Sequence, residues 1–340
     1  MSQEQINHLI SLCLDDLPTE CDIMAEWKGD LTNPDVSIIC NTYNHRGYIE
    51  DALKGFLIQK TDFPFEIIVH DDASSDGTTD IVKKYQKRYP HIINLVVQAE
   101  NQFSKGNKPM IMSFPYSRGN LVAICEGDDF WFSTGKLAQQ KAALDKNPKV
   151  DLCIHPATKI NLKGEVMSSI LGNERRKLIY ASEVIRAGGG WCATCSIVVR
   201  RQILQRYFDN FKTGSVGDVF IQSLGSIRGG ALNTADNAAA YRVGVSVSWS
   251  KSFTTKEKVI ENHESMQKNL SKLGRFSDFS RNQKEIDILK SRCSYNAAIR
   301  LLRLKQWESA RRYITESLRH SVIGKKQIIL YIASRFLGRI

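Results

Sequence analysis

Ala123-Ile124-Cys125-Glu126-Gly127-Asp128-Asp129-Phe130-Trp131 is an apolar run that ends abruptly in the carboxylates Glu126, Asp128 and Asp129 and then in two aromatics. A strand that delivers those carboxylates to its C-terminal end makes a compact patch of oxygen ligands, which repels itself unless a cation sits in it. Oxygen-rich sites suit Mg²⁺ or Mn²⁺, which bridge onward to substrate phosphates. An acidic turn exposed to water has the same composition, so the patch alone leaves both readings open. A second acidic stretch, Asp71-Asp72-Ala73-Ser74-Ser75-Asp76-Gly77-Thr78, follows another apolar run, and Asp218 stands alone after Gly217.

The elements around these residues narrow the choice. Val36 to Cys40 has the composition of a buried strand and breaks at Asn41 into a polar loop that lasts to Gly47. Tyr48 to Gln59 places Ile49, Leu53, Phe56 and Leu57 at helical spacing. Phe65 to His70 is a second strand, Thr79 to Tyr89 a helix, Ile92 to Gln98 a third strand and Asn120 to Cys125 a fourth. This alternation predicts an α/β fold, a mostly parallel sheet covered by helices. In such sheets the loops beyond the carboxyl ends of the strands converge on a ligand crevice. The polar loops after strands one, two and four all lie at that edge.

Three motifs in this order carry a family resemblance. Val36-Ser37-Ile38-Ile39 with Thr42-Tyr43-Asn44, then Asp71-Asp72-Ala73-Ser74 with Asp76-Gly77-Thr78, then Glu126-Gly127-Asp128-Asp129-Phe130-Trp131 resemble the family 2 glycosyltransferases over residues 34–250. The resemblance implies inverting, metal-dependent transfer from a nucleotide sugar on the GT-A fold, a Rossmann-like sheet with helices on both faces, with Mn²⁺ or Mg²⁺ as cofactor. It assigns Asp129 to the metal, with Asp128 beside it. Glu126 stands where the family usually has the first Asp of an Asp-x-Asp signature; its longer side chain leaves ribose contact and metal contact both open. Asp72 is placed to accept the N3–H of a uracil ring, since a carboxylate accepts only and selects a base offering a donor. Tyr43 offers a ring face to that base, and Asn41 and Thr42 small polar contacts. Asp71 and Asp76 fit turn chemistry, Asp76 capping the helix at Thr78. Phe130 and Trp131 fit packing beneath the site better than a sugar platform.

An inverting transfer also needs a general base for the acceptor hydroxyl. The family takes it from a carboxylate that starts a helix downstream of the metal motif, and Gly217-Asp218-Val219-Phe220-Ile221 matches. Asp218 is then the base, with a helix cap as the alternative; the family more often has Glu-Asp there, so one carboxylate carries the duty. In Ala240-Tyr241-Arg242, Arg242 either stabilises the departing diphosphate or forms a structural ion pair. Ser246 stands where the family frequently has a histidine. The glycine-rich stretch from Gly188 borders the acceptor pocket in the family, which makes Trp191 and Thr194 acceptor contacts. Cys192 and Cys195 have no second pair at zinc spacing and fit buried thiols.

A chain of 340 residues accommodates a catalytic domain and an appendage. The expected division is a helical extension over 1–33, a transferase domain over 34–250 and a basic helical region over 251–340. Within the domain, 34–132 forms the nucleotide-sugar half and 133–250 the acceptor half. The 8 cysteines are scattered, as in a protein of a reducing cytosol. Met1 to Asp16 lacks the basic start and apolar core of a secretory signal. No apolar run approaches the roughly 18 residues of a membrane span.

Charge is unevenly placed: residues 251–340 hold 20 Lys and Arg against 8 Asp and Glu, whereas residues 1–250 hold 27 against 28. Such a block meets nucleic acid or an anionic lipid leaflet. It carries no zinc-finger or RNA-binding signature, so no nucleic-acid partner is expected. Lys284 to Leu302 and Trp307 to Leu318 show helical spacing and faintly resemble a tetratricopeptide-type hairpin. Lys325 to Ile340 places Ile329, Ile332, Ala333, Phe336 and Ile340 on one face, with Arg335 and Arg339 on a flank. An interfacial membrane helix has this make-up, and so does a helix docked on its own domain.

The expected activity is transfer from a nucleotide sugar, UDP-linked on the Asp72 argument, to a hydroxyl of a glycan acceptor. The family resemblance and the basic tail, rather than any site residue, imply a lipid-linked acceptor, in O-antigen, capsule or other surface polysaccharide synthesis on the cytoplasmic membrane face. A nucleotidylyltransferase would want a Gly-rich, Lys-bearing phosphate loop after strand one, which Asn41 to Gly47 is not. A catalytically silent binding protein with a partner-recruiting tail is the other alternative; Asp72, Asp128, Asp129 and Asp218 argue against it.

Overall fold

In the computed structural model, which describes residues 2–172, 174–211, 217–245 and 253–334, two short helices come first, α1 (Ser2–Ser11) and α2 (Glu20–Ala25). The expected alternation follows: β1 (Val36–Thr42), α3 (Ile49–Leu57), β2 (Phe65–Asp71), α4 (Thr78–Arg88), β3 (Ile93–Val97), a short α5 (Pro109–Ser113) and β4 (Leu121–Ile124). Every residue of β1, β2 and β4 is buried, as in strands covered on both faces. The apolar run predicts a first strand ending at Cys40, but β1 continues two residues further. Asn41 pairs with His70 and Thr42 with Asp71, because β2 runs alongside and offers its backbone groups to partners that burial would otherwise leave unpaired.

Beyond β4 lie β5 (Phe130–Trp131), α6 (Lys136–Lys146), β6 (Leu152–Ile154), β7 (Ala157–Ile160), β8 (Val166–Ile170), β9 (Leu178–Ile179) and α7 (Ala181–Ala187). Next come β10 (Val198–Arg200), α8 (Arg201–Asn210), α9 (Asp218–Ser226), β11 (Ala231–Asn233) and β12 (Ala239–Arg242). The strands form an eight-stranded sheet in the order β3-β2-β1-β4-β10-β6-β11-β9 and a four-stranded sheet in the order β5-β12-β7-β8. From β3 to β4 the large sheet is parallel; β10 is antiparallel to both its neighbours, and β11 is again parallel to β6. The architecture is the expected α/β one, a mostly parallel sheet with helices around it.

Helix α3 sits close to the small sheet because of one glycine. A Cβ on Gly55 would stand 2.5 Å from the Trp131 carbonyl oxygen, so only glycine lets the helix approach β5 at that point. Ile49, Leu53, Phe56 and Leu57 all enter the main core. Ile6 and Leu9 of α1 pack on Phe130, Phe132, Ile160 and Ala240 in a second cluster.

Contacts divide the chain into two units. The first draws its described residues from 1–180, 190–213 and 224–245 and holds both sheets. The second draws on 181–189, 214–223 and 246–340 and contains α10 (Lys256–Gly274), α11 (Gln283–Arg303), α12 (Trp307–His320) and α13 (Lys325–Ser334). Helices α11 and α12 form the hairpin that their spacing predicts, around Ala297, Ala298, Leu301, Ala310, Tyr313 and Ile314. Ser246, Arg335, Phe336, Arg339 and Ile340 lie outside the described residues.

Candidate active site

The carboxyl ends of β1, β2 and β4 meet at one place in the first unit. Beyond β4 the chain stays bonded to β1: the Cys125 N–H donates to Ile39 O at 3.1 Å, and the Gly127 N–H to Asn41 O at 2.9 Å. The turn Glu126–Asp129 is thereby pinned beside Asn41 and Thr42. A Cβ on Gly127 would come 2.8 Å from Thr42 Oγ1, so the turn approaches the strand as closely as it does only with glycine there. Asn41 Oδ1 and Thr42 Oγ1 are buried and have no hydrogen-bond partner among the described residues. Buried polar atoms without a partner carry a penalty of about 1–3 kcal/mol each, which a bound polar ligand removes. Tyr43, just past β1, is half-buried.

On the β2 side, the Asp72 N–H donates to Thr42 O at 3.0 Å, joining the two strand ends. The Asp72 carboxylate accepts from Gln102 N at 2.7 Å and from Phe103 N at 3.0 Å. Its oxygens therefore organise the turn at 101–105 and keep further lone pairs for a ligand donor. Asp71 accepts from Ser74 N and from the Thr79 hydroxyl. Asp76 accepts from Thr78 N at 3.0 Å and from Arg46 N at 2.9 Å, the turn chemistry expected of it, while Gly77 holds the N-cap position of α4.

The two central carboxylates differ in environment. Asp128 has a partly open side chain, 18% exposed, whose Oδ2 lies 3.9 Å from His45 Nε2. Asp129 is 2% exposed and accepts from the backbone N–H of Arg242 at 2.8 Å. Burial, and then the neighbouring Asp128 charge, push the Asp129 carboxyl well above the usual carboxylate range. Asp129, ranked first for the metal on the resemblance, is thus the less accessible of the pair. Glu126 is half-exposed at the start of the turn.

Arg242 is ion-paired in this structure. Its guanidinium donates to Asp51 Oδ2 at 2.9 Å and to the Asp128 carbonyl oxygen at 2.7 Å, and it lies over the Tyr48 ring. With its side chain 3% exposed, it straps the acidic turn to α3. Phe130 and Trp131 are fully buried packing residues. Trp131 donates to Cys195 O at 2.8 Å, and Lys136 Nζ stands 3.9 Å from the centre of its ring. Burial pushes that lysine down to about 8.

His45 escapes the motif reading although it faces the turn. Its backbone N–H donates to Thr78 Oγ1 at 2.9 Å, and burial lowers its pKa against the opposing charges of Asp128 and Asp76. Its place three residues past the end of β1, at the crevice edge, is the signal that marks it. Trp191 and Thr194 are half-buried, on the stretch that leads alongside the end of β4, where Ile124 N donates to Ile197 O at 3.1 Å. Cys192 and Cys195 are buried and carry no disulfide. Asp218 opens α9, as expected, and belongs to the second unit.

Among the described residues no group of three or more His, Cys, Asp or Glu is placed to hold a metal by itself. Mg²⁺-type sites in phosphate chemistry do not need such a cage, since one or two carboxylates, waters and substrate phosphates complete the shell. A partly open Asp128 beside a buried Asp129 whose carboxyl is pushed up, next to two buried oxygens without partners among the described residues, fits a cation that arrives with its nucleotide.

The profile of Glycosyl transferase family 2 matches residues 37–208. Uncharacterized protein Rv1520 of Mycobacterium tuberculosis is 30% identical over 226 residues, which cover 66% of this chain and 64% of that protein. The match thus spans less than two thirds of that relative's length. The Poly(ribitol-phosphate) beta-N-acetylglucosaminyltransferase TarS of Staphylococcus aureus is 36% identical over 98 residues, covering 28% of this chain and 16% of TarS. The structure of TarS 1-349 with UDP-GlcNAc shares the fold at TM-score 0.66 and 17% identity, over 89% of this chain and 87% of that one. The mannosyltransferase PcManGT of Pyrobaculum calidifontis, in complex with GDP-Man and Mn2+, aligns at TM-score 0.52 and 16% identity, over 100% of this chain and 87% of that one.

Proposed function

Because the chain belongs to glycosyl transferase family 2, we propose that it moves a sugar, with inversion, from a UDP-sugar to a hydroxyl of a glycan acceptor in a cell-surface polysaccharide. The observation that carries this reading is the meeting of β1, β2 and β4: Asn41 Oδ1 and Thr42 Oγ1, buried and without partners among the described residues, lie on the strand end to which the Asp128 turn is bonded.

In this reading Asp72 and Tyr43 receive the base, Asn41 and Thr42 the polar edge of the nucleoside, and Glu126 the ribose. Asp128, and behind it Asp129, would hold Mn²⁺ or Mg²⁺. When bound, such a cation neutralises the diphosphate as the glycosidic bond breaks. Arg242 acts through the turn, holding the Asp128 backbone where its carboxylate faces the crevice. Asp218 accepts the proton of the attacking hydroxyl. That role rests on the order of the family's motifs. Trp191 and Thr194 contact the acceptor.

The acceptor proposed is a lipid-linked glycan of the O-antigen or capsule type, met at the cytoplasmic face of the membrane. TarS, named for glycosylating a poly(ribitol phosphate), supports the surface-polymer part of the reading. No helix among the described residues is long and apolar enough to cross a membrane; the attachment proposed at that face is peripheral. Donor hydrolysis screened across nucleotide sugars, with and without Mn²⁺, tests the proposal. Release of UDP from at least one UDP-sugar, dependent on the cation, is the expected result; no hydrolysis of any nucleotide sugar together with no nucleotide binding would overturn it.

A further inference from the structure

Helix α13 docks on its own unit by its polar residues together with the half-buried Leu330 and Tyr331, which pack against the α11–α12 core, and turns its isoleucines outward. Gln327 and Ser334 are its buried positions. Gln327 Nε2 lies 2.6 Å from Ser317 Oγ, 3.1 Å from Ser291 Oγ and 3.0 Å from Ser321 O, while Gln327 Oε1 accepts from Ile323 N at 2.8 Å. Ser317 Oγ donates to Ser291 O at 2.7 Å, and Arg311 Nε to Ser334 O at 3.1 Å. This hydrogen-bonded seam, with Leu330 and Tyr331 packed beside it, fixes the helix without the isoleucines. Ile328, Ile329 and Ile332 remain 42%, 64% and 54% exposed, and Val322, just before the helix, 61%. An amphipathic helix of a water-soluble fold buries the opposite face.

The surroundings are cationic. Lys325 and Lys326 are exposed in the first turn of α13, and the sequence from 317 to 340 contains no Asp or Glu. We propose that the Ile328, Ile329 and Ile332 face of α13, edged by Lys325 and Lys326, docks onto an anionic lipid bilayer. Area favours lipid over a second copy of the chain: a few aliphatic side chains cover a few hundred Å², against about 800 Å² per partner in a stable protein interface. An interfacial helix needs only an apolar face to immerse and cations to meet the headgroups. The inference deepens the reading of a lipid-linked acceptor, which it rests on for its purpose though not for its geometry.

Sedimentation of the full chain with phosphatidylcholine vesicles, with and without phosphatidylglycerol, tests the surface. The chain should sediment only with the anionic vesicles. Ile329→Gln with Ile332→Gln should lower partitioning about tenfold or more at every salt concentration, and Lys325→Gln with Lys326→Gln should weaken it only at low salt. Both variants should keep the wild-type circular dichroism and donor hydrolysis. Absent binding of the wild type at low salt, or wild-type binding by the isoleucine variant, would overturn the proposal. So would a drop in molar mass by light scattering in that variant without vesicle binding, which would assign the face to a second copy. Vesicle binding in a protein that hydrolyses no nucleotide sugar would sink the transferase reading and leave this surface standing.

Discussion

Arg242 holds Asp129 through the backbone, its N–H donating to Asp129 Oδ1 at 2.8 Å, while its guanidinium reaches the carbonyl of Asp128 at 2.7 Å. One residue of β12 thus pins two consecutive acidic residues of the turn, and its pair with Asp51 extends the strap to α3. The acidic turn cannot shift without moving the small sheet.

Arg242→Met should therefore act first on stability. It strands the Asp51 carboxylate, 13% exposed, and breaking such a buried pair from one side costs about 3–5 kcal/mol. Adding Asp51→Asn should recover a large part of that loss, giving clear non-additivity in a urea-denaturation cycle. Additive, small effects on stability together with a raised donor KM would instead assign the guanidinium to the diphosphate.

Alkaline pH should weaken the fold through its buried thiols. Burial pushes Cys153 up to about 12, whereas an unfolded cysteine titrates near about 8.5. Between those values the unfolded chain has lost a proton that the folded chain keeps, so stability is full below about 8.5 and declines as pH rises. At a pH about 1.5 above the unfolded value, this one group accounts for roughly 2 kcal/mol. Cys40, Cys125 and Cys195 shift in the same direction; Lys136, pushed down to about 8, opposes them. Denaturation midpoints followed from neutral to alkaline pH should fall, and Cys153→Ala should start lower but decline less steeply. A wild-type midpoint that holds level or rises would contradict this balance.

The parallel half of the sheet is legible in the sequence because its strands are unbroken apolar runs, each ending in polar residues at the same edge. The acidic turn and Asp72 are legible for the same reason, and the helix start at Asp218 through the resemblance of Gly217-Asp218-Val219-Phe220-Ile221 to the family's motif. What sequence cannot supply is long-range contact. Nothing near Arg242 announces Asp51 or Asp128 as its partners, which lie far away in the chain. The burial of Asp129 relative to Asp128 depends on β12 crossing behind the turn. In α13 the pattern of isoleucines is visible, but its direction is set by Leu330, Tyr331, a glutamine and serines drawn from three separate segments.

Asp218→Asn separates a base from a cap. The amide keeps most of the capping ability and cannot take a proton at neutral pH. Transfer should fall by about 10²–10⁴-fold while nucleotide binding by calorimetry stays near wild type. Retained transfer would make Asp218 a helix cap and reopen the search for a base.

The central claim is that the Asp128 turn receives a nucleotide together with a divalent cation, and calorimetry of UDP binding tests it most directly. Wild-type protein should bind UDP with Mn²⁺ and lose most of that affinity in EDTA. Asp128→Asn should weaken Mn²⁺-dependent binding by roughly two orders of magnitude or more, with its thermal unfolding unchanged. Equal UDP affinity with Mn²⁺ and with EDTA, or an Asp128→Asn protein that binds as the wild type does, would contradict the account.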